Sequence, residues 1–104
     1  MDDVKLSGQG VLLAAVRQYG GNNQIDVAIE EMAELTQALI KTKRYAADED
    51  FVIFRENVIE EIADVEIMLQ QLRLIFGIDE GDVDAEKDFK LSRLADRLKQ
   101  EGTQ

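Results

Sequence analysis

Two stretches of this chain are near copies, Ile29-Glu30-Glu31-Met32-Ala33-Glu34-Leu35 and Ile59-Glu60-Glu61-Ile62-Ala63-Asp64-Val65, offset by 30 residues. Each sets two acids three positions apart within apolar helical sequence, so the fold must accommodate four carboxylates on helix faces otherwise suited to packing. With about 100° per residue and Ala28 at zero, Met32, Leu35 and Leu39 fall within about 40° of it. Glu31, at about 300°, interrupts the apolar arc, Glu34, at about 240°, borders it, and Glu30, at about 200°, faces away. With Val58 at zero the second copy repeats the pattern: Glu61 lies between Met68 and Leu72, Asp64 beside Asn57 and Ile75, and Glu60 outside.

Carboxylates removed from water without partners cost several kcal/mol each, even after relaxation. A single such acid can snorkel to solvent, but two pairs in matching registers call for a neutralising charge. No Lys or Arg occurs between Ala28 and Ile40, and none from Asn57 to Leu72. A divalent cation answers the need. Mg²⁺ is a hard ion that takes oxygen ligands and is commonly held by carboxylates together with substrate phosphates, and Mn²⁺ can substitute.

The rest of the composition narrows the options. The 104 residues suggest a single domain, 1–104, short enough to gain from oligomerisation. The chain has no Cys and no His, which excludes disulfides, zinc–thiolate sites, a histidine base and Glu-x-x-His iron ligands. A formal net charge of −10 argues against a nucleic-acid partner, which would call for a basic stripe. No apolar run approaches the roughly 18 residues of a membrane span and no signal-peptide pattern precedes the first helix, so no membrane association and a cytoplasmic location are expected. Local basic clusters remain at Lys41, Lys43, Arg44 and at Lys87, Lys90, Arg93, Arg97. They could help to hold an anionic substrate, but any single Lys or Arg among them reads first as solvated helix surface.

Turn signals divide four helical segments, expected at about 7–19, 24–44, 50–76 and 82–100, with a frayed tail at 101–104. Ser7 can cap the first, and Gly20-Gly21-Asn22-Asn23 breaks it from the second. A polar Ala-Ala-Asp-Glu-Asp turn precedes the third, Gly77 caps its end, and Asp82 or Asp84 starts the fourth. No strand-like alternation appears, so the fold class is all-α. The third segment carries Val52, Ile59, Ile62, Ala63 and Leu69 beside its main stripe through Phe54, Val58, Val65, Met68, Leu72 and Phe76. An apolar surface of that width needs cover on several sides. The expectation is a homodimer or homotetramer with the second and third helices at the centre of a bundle.

The four-acid pattern, Glu30-Glu31-Met32-Ala33-Glu34 followed by Glu61-Ile62-Ala63-Asp64, resembles the MazG-like, all-α nucleoside triphosphate pyrophosphohydrolases. Tyr19-Gly20, Gln24, Ala33-Glu34-Leu35 and the Lys/Arg-bearing helix after Gly77-Ile78-Asp79 add to the likeness, which covers roughly Val16 to Arg93. The resemblance implies a four-helix bundle completed by oligomerisation. It also implies Mg²⁺-dependent hydrolysis of a nucleoside triphosphate to monophosphate and pyrophosphate, a nucleotide-pool housecleaning activity. By the same resemblance Glu31, Glu34, Glu61 and Asp64 ligate the metal; a carboxylate not fully committed to metal can accept the proton of the attacking water, and Glu34 or Glu31 is the candidate. Lys87, Lys90 and Arg93 would contact the distal phosphates, and Gln24 and Asn57 are candidates for base or sugar contacts. The chain departs from the family where Tyr19 stands in place of a frequent Trp and Lys87-Asp88 in place of a Lys-Asn pair. Two other readings stand beside this one: a non-catalytic acidic helical module for oligomerisation or partner binding, and the related phosphoribosyl-ATP pyrophosphohydrolase activity.

Overall fold

A computed structural model describes residues 8–45 and 51–102; the Ser7 cap, the polar turn at 46–50 and tail residues 103 and 104 lie outside them. The described residues form four helices: α1 Gly8–Tyr19, α2 Gly21–Tyr45, α3 Phe51–Ile75 and α4 Glu80–Gly102. No strand occurs among them.

The break between α1 and α2 is narrower than the expected four residues. Gly20 alone interrupts the helix, at φ 91°, a left-handed conformation that glycine adopts without a Cβ clash. Its N–H donates to Val16 O at 2.8 Å, ending α1, and its carbonyl accepts from Gln24 N–H at 3.0 Å, opening α2. Asn23 belongs to α2, its side-chain amide donating to Tyr19 O at 2.7 Å and satisfying a terminal carbonyl of α1.

At the end of α3, Gly77 takes φ 62°. Gly77 N–H donates to Leu74 O at 3.3 Å and Ile78 N–H to Arg73 O at 2.9 Å, the paired bonds of a Schellman cap. The next helix starts earlier than either expected aspartate. Asp79 immediately precedes α4 and its carbonyl accepts from Asp82 N–H at 3.0 Å, so Asp82 and Asp84 lie inside the helix. Acids at Glu80 and Asp82 in that first turn suit the positive end of the helix dipole.

The dominant packing is α2 against α3, antiparallel, with α1 resting on both. Contacts at three levels set the register. Tyr45 stacks on Phe54 at one end, with centroids 6.0 Å apart and rings inclined by 16°. Acids of the two repeats meet in the middle. At the other end Gly21 lies against Ile75, where a Cβ on the glycine would meet Ile75 Cγ2 at 3.5 Å. Ala28, Val65 and Met68 form the buried apolar centre between the helices.

The repeat gives this two-helix layer two unlike sides. In each copy the acids sit on one flank of the packed stripe (Glu31 and Glu34, Glu61 and Asp64), while Met32 and Leu39, Ile62 and Leu69 sit on the other. Because the helices run antiparallel, equal rotations about them carry both acid pairs to one side of the layer and all four apolar side chains to the opposite side. These four side chains are exposed.

α4 stands apart. None of its residues is buried, and Phe89, Leu91, Leu94 and Leu98 are all exposed. The radius of gyration is 18.3 Å, against about 13 Å for a compact chain of about 100 residues. An isolated helix gains little stability in water without a packed face, so a single copy leaves α4 and the apolar side of the layer without the burial that would stabilise them.

Candidate metal centre

The acids of the two repeats converge as their helical phases require. One carboxylate oxygen from each of Glu31, Glu34 and Glu61 lies within 4.8 Å of the others. Glu31 and Glu34 come from adjacent turns of α2, and Glu61 faces them from α3. Asp64 lies one turn beyond Glu61, close enough that its charge acts on both Glu31 and Glu61, although it is outside the tightest group.

The electrostatics are those of crowded carboxylates. Partial burial pushes the Glu31 carboxyl above its ordinary pKa; Glu34 and Asp64 raise it further by charge, Glu34 by a shared hydrogen bond, and Glu61 by charge. The Glu61 carboxyl is raised for the same first reason, then by the charges of Glu34, Asp64 and Glu60. Among the described residues, the charges acting on either group are all negative. One oxygen of Glu31 and one of Glu61, both Oε2, are shut off from solvent without a hydrogen-bond partner. The Arg55–Glu56 ion pair, at 3.6 Å, lies on exposed surface and does nothing for the cluster.

Orphaned, inward-facing oxygens in a set of hard donors fit a hard divalent cation, which would take up the lone pairs that no protein group satisfies. Glu31, Glu34 and Glu61 offer direct ligands, and Asp64 completes the negative field. Glu30 and Glu60 are exposed, as their phases require.

The other candidate residues are distributed less closely. Gln24 is buried at the start of α2, seven residues before Glu31, whereas Asn57 is exposed on α3. Lys87, Lys90 and Arg93 are exposed on α4, and none is among the charges felt by Glu31 or Glu61. Arg93 instead lies over the Phe89 ring, 5.7 Å from its centroid. Within one chain, then, the basic series is not brought to the acids.

One buried polar residue escapes the sequence reading. Gln71 is 4% exposed, and its carbonyl oxygen has no hydrogen-bond partner. It stands in a Gln70-Gln71 pair that looks like surface, yet seven residues after Asp64 it returns to the acid side of α3. That spacing is the signal that could have found it.

Comparison of the chain with protein-family models, with curated proteins and with solved structures found no match in any of the three. The functional reading therefore rests on the residues and their geometry.

Proposed function

We propose that this protein is a Mg²⁺-dependent nucleoside triphosphate pyrophosphohydrolase of the MazG-like kind, with Mn²⁺ as an alternative ion. The observation that carries the reading is the convergence of Glu31, Glu34 and Glu61, with two solvent-excluded oxygens lacking any partner and, among the described residues, only negative charges acting on Glu31 and Glu61. Magnesium ions held there would offset the charge of a triphosphate and of the departing pyrophosphate. The chain's own residues then have separate tasks. Glu31, Glu61, Glu34 and Asp64 hold the ions, and Glu34 or Glu31 accepts the proton of the attacking water, since their carboxyls adjoin. The exposed Glu30 and Glu60 take no direct part.

Products test this placement. Attack on the α phosphorus gives monophosphate and pyrophosphate in equal amounts, no diphosphate intermediate, and solvent ¹⁸O in the monophosphate. Orthophosphate with accumulating diphosphate, or ¹⁸O confined to pyrophosphate, refutes it.

The reading includes a homodimer or homotetramer in which a second copy covers Met32, Leu39, Ile62 and Leu69, and in which the basic series of α4 reaches phosphates held on a partner. The exposed apolar side of the layer and the unpacked α4 support it. Light scattering should give a mass of at least two chains, and Ile62→Arg/Leu69→Arg should reduce it to one. A wild type that remains monomeric at micromolar concentration would eliminate this assembly.

A further inference from the structure

Gln71 is the least explained polar group among the described residues. Its side chain is withdrawn from water and its carbonyl oxygen accepts no hydrogen bond. A buried amide oxygen left without a donor forfeits its hydration with nothing in return, so such a group needs a reason.

Its position supplies one. Gln71 follows Asp64 by seven residues, which places it on the same side of α3 as the acids and about 10.5 Å further along the axis. Gln24 precedes Glu31 by seven residues on α2, the same distance in the opposite chain direction. Since α2 and α3 are antiparallel, both steps lead to the same end of the layer, the end marked by the Gly21–Ile75 contact. Two buried carboxamides thus stand level with each other, about 10 Å from the carboxylates. That interval matches the reach of a nucleoside from its α phosphate to the hydrogen-bonding edge of its base.

We infer that Gln71 reads the nucleobase of the triphosphate, its carbonyl accepting an N–H from the base edge, with Gln24 as the facing polar wall. This rests on the pyrophosphohydrolase reading. A glutamine amide sets an acceptor beside a donor, so it complements base edges that set an N–H beside an acceptor, as the adenine N6–H and N7 do. A carboxylate in its place has acceptors only. It would favour an edge with two adjacent donors, the N1–H and N2–H₂ of guanine.

The test compares kcat/KM for the adenine, cytosine, guanine and uracil triphosphates in the wild type, Gln71→Leu and Gln71→Glu. Ratios between substrates cancel any difference in the folded fraction, so partial misfolding of a variant does not obscure the result. Gln71→Leu should lose roughly 10- to 100-fold on the preferred base and flatten the preference. Gln71→Glu should shift the ratio towards guanine. If the wild type hydrolyses triphosphates and both variants keep its base ratios, the assignment of Gln71 is overturned while the pyrophosphohydrolase reading stands. If the wild type hydrolyses none, both fall.

Discussion

Replacing Glu31, Glu34, Glu61 or Asp64 singly by Ala should reduce turnover by roughly 100-fold or more while leaving the helices intact. Groups that merely orient metal ligands cost about 10–100-fold in affinity or activity when removed, and a direct ligand should exceed that. The folded state should tolerate the change, because each variant relieves repulsion among like charges and removes a side chain that is at most half-buried. Circular dichroism would confirm the helical content and pyrophosphate release would report turnover. Glu30→Ala and Glu60→Ala provide the register control, since both residues are exposed and point away from the cluster. Near-normal activity in two of the four inner variants would rule out the carboxylate cluster as the ion-binding site. A Glu60 variant as inactive as a Glu61 variant would show that the faces have been misassigned.

The second large effect is on stability. An ion that binds only the native state adds RT ln(1 + [L]/Kd), about 2.7 kcal/mol at a hundredfold excess over Kd. For a domain of this size that raises the melting midpoint on the order of 10 °C. Chelation should remove the gain. Without metal, pH takes over the same role, and its sign follows from the raised carboxyls. Glu31 and Glu61 titrate above their ordinary value of 4.5 in the fold, so the native state binds more protons than the unfolded chain between that value and the raised ones. Their contribution is fully present below the unfolded pKa and is lost as pH rises through the folded pKa. The metal-free midpoint should accordingly fall as pH rises through this window, and Glu31→Gln/Glu61→Gln should flatten the dependence and diminish the response to Mg²⁺. A wild-type midpoint indifferent to Mg²⁺, with or without nucleotide, would count decisively against a divalent site.

The placement of the acids was legible because it depends only on the angular step of a helix. Glu31 and Glu61 interrupt apolar arcs at the same phase, and any antiparallel pairing of those arcs brings them together. Helix ends were legible where the backbone demands glycine, as at Gly20 and Gly77, and less so where polar residues compete. Asn22 and Asn23 read as a break, yet Asn23 joins the helix and spends its side chain on Tyr19 O. Asp82 and Asp84 read as caps, yet Asp79 holds the position before the helix. Two features were harder to read from a single sequence. Periodicity shows that α4 has an apolar stripe through Leu91, Leu94 and Leu98, but it cannot say that none of these side chains is buried among the described residues. Gln71 is buried because of what lies over α3, and two adjacent glutamines differ in burial for reasons that composition does not record.

The opposed sides of the α2–α3 layer bear on how an assembly would work. If two copies join through Met32, Leu39, Ile62 and Leu69, their acid faces point outward, away from each other. Substrate bound at one would neither block entry to the other nor compete for its ligands. Each catalytic unit would then saturate independently, giving a hyperbolic response to nucleotide concentration, with cooperativity arising only through a segment that reaches from one copy to the other. Among the described residues α4, which buries none of its side chains, is the element placed to do that.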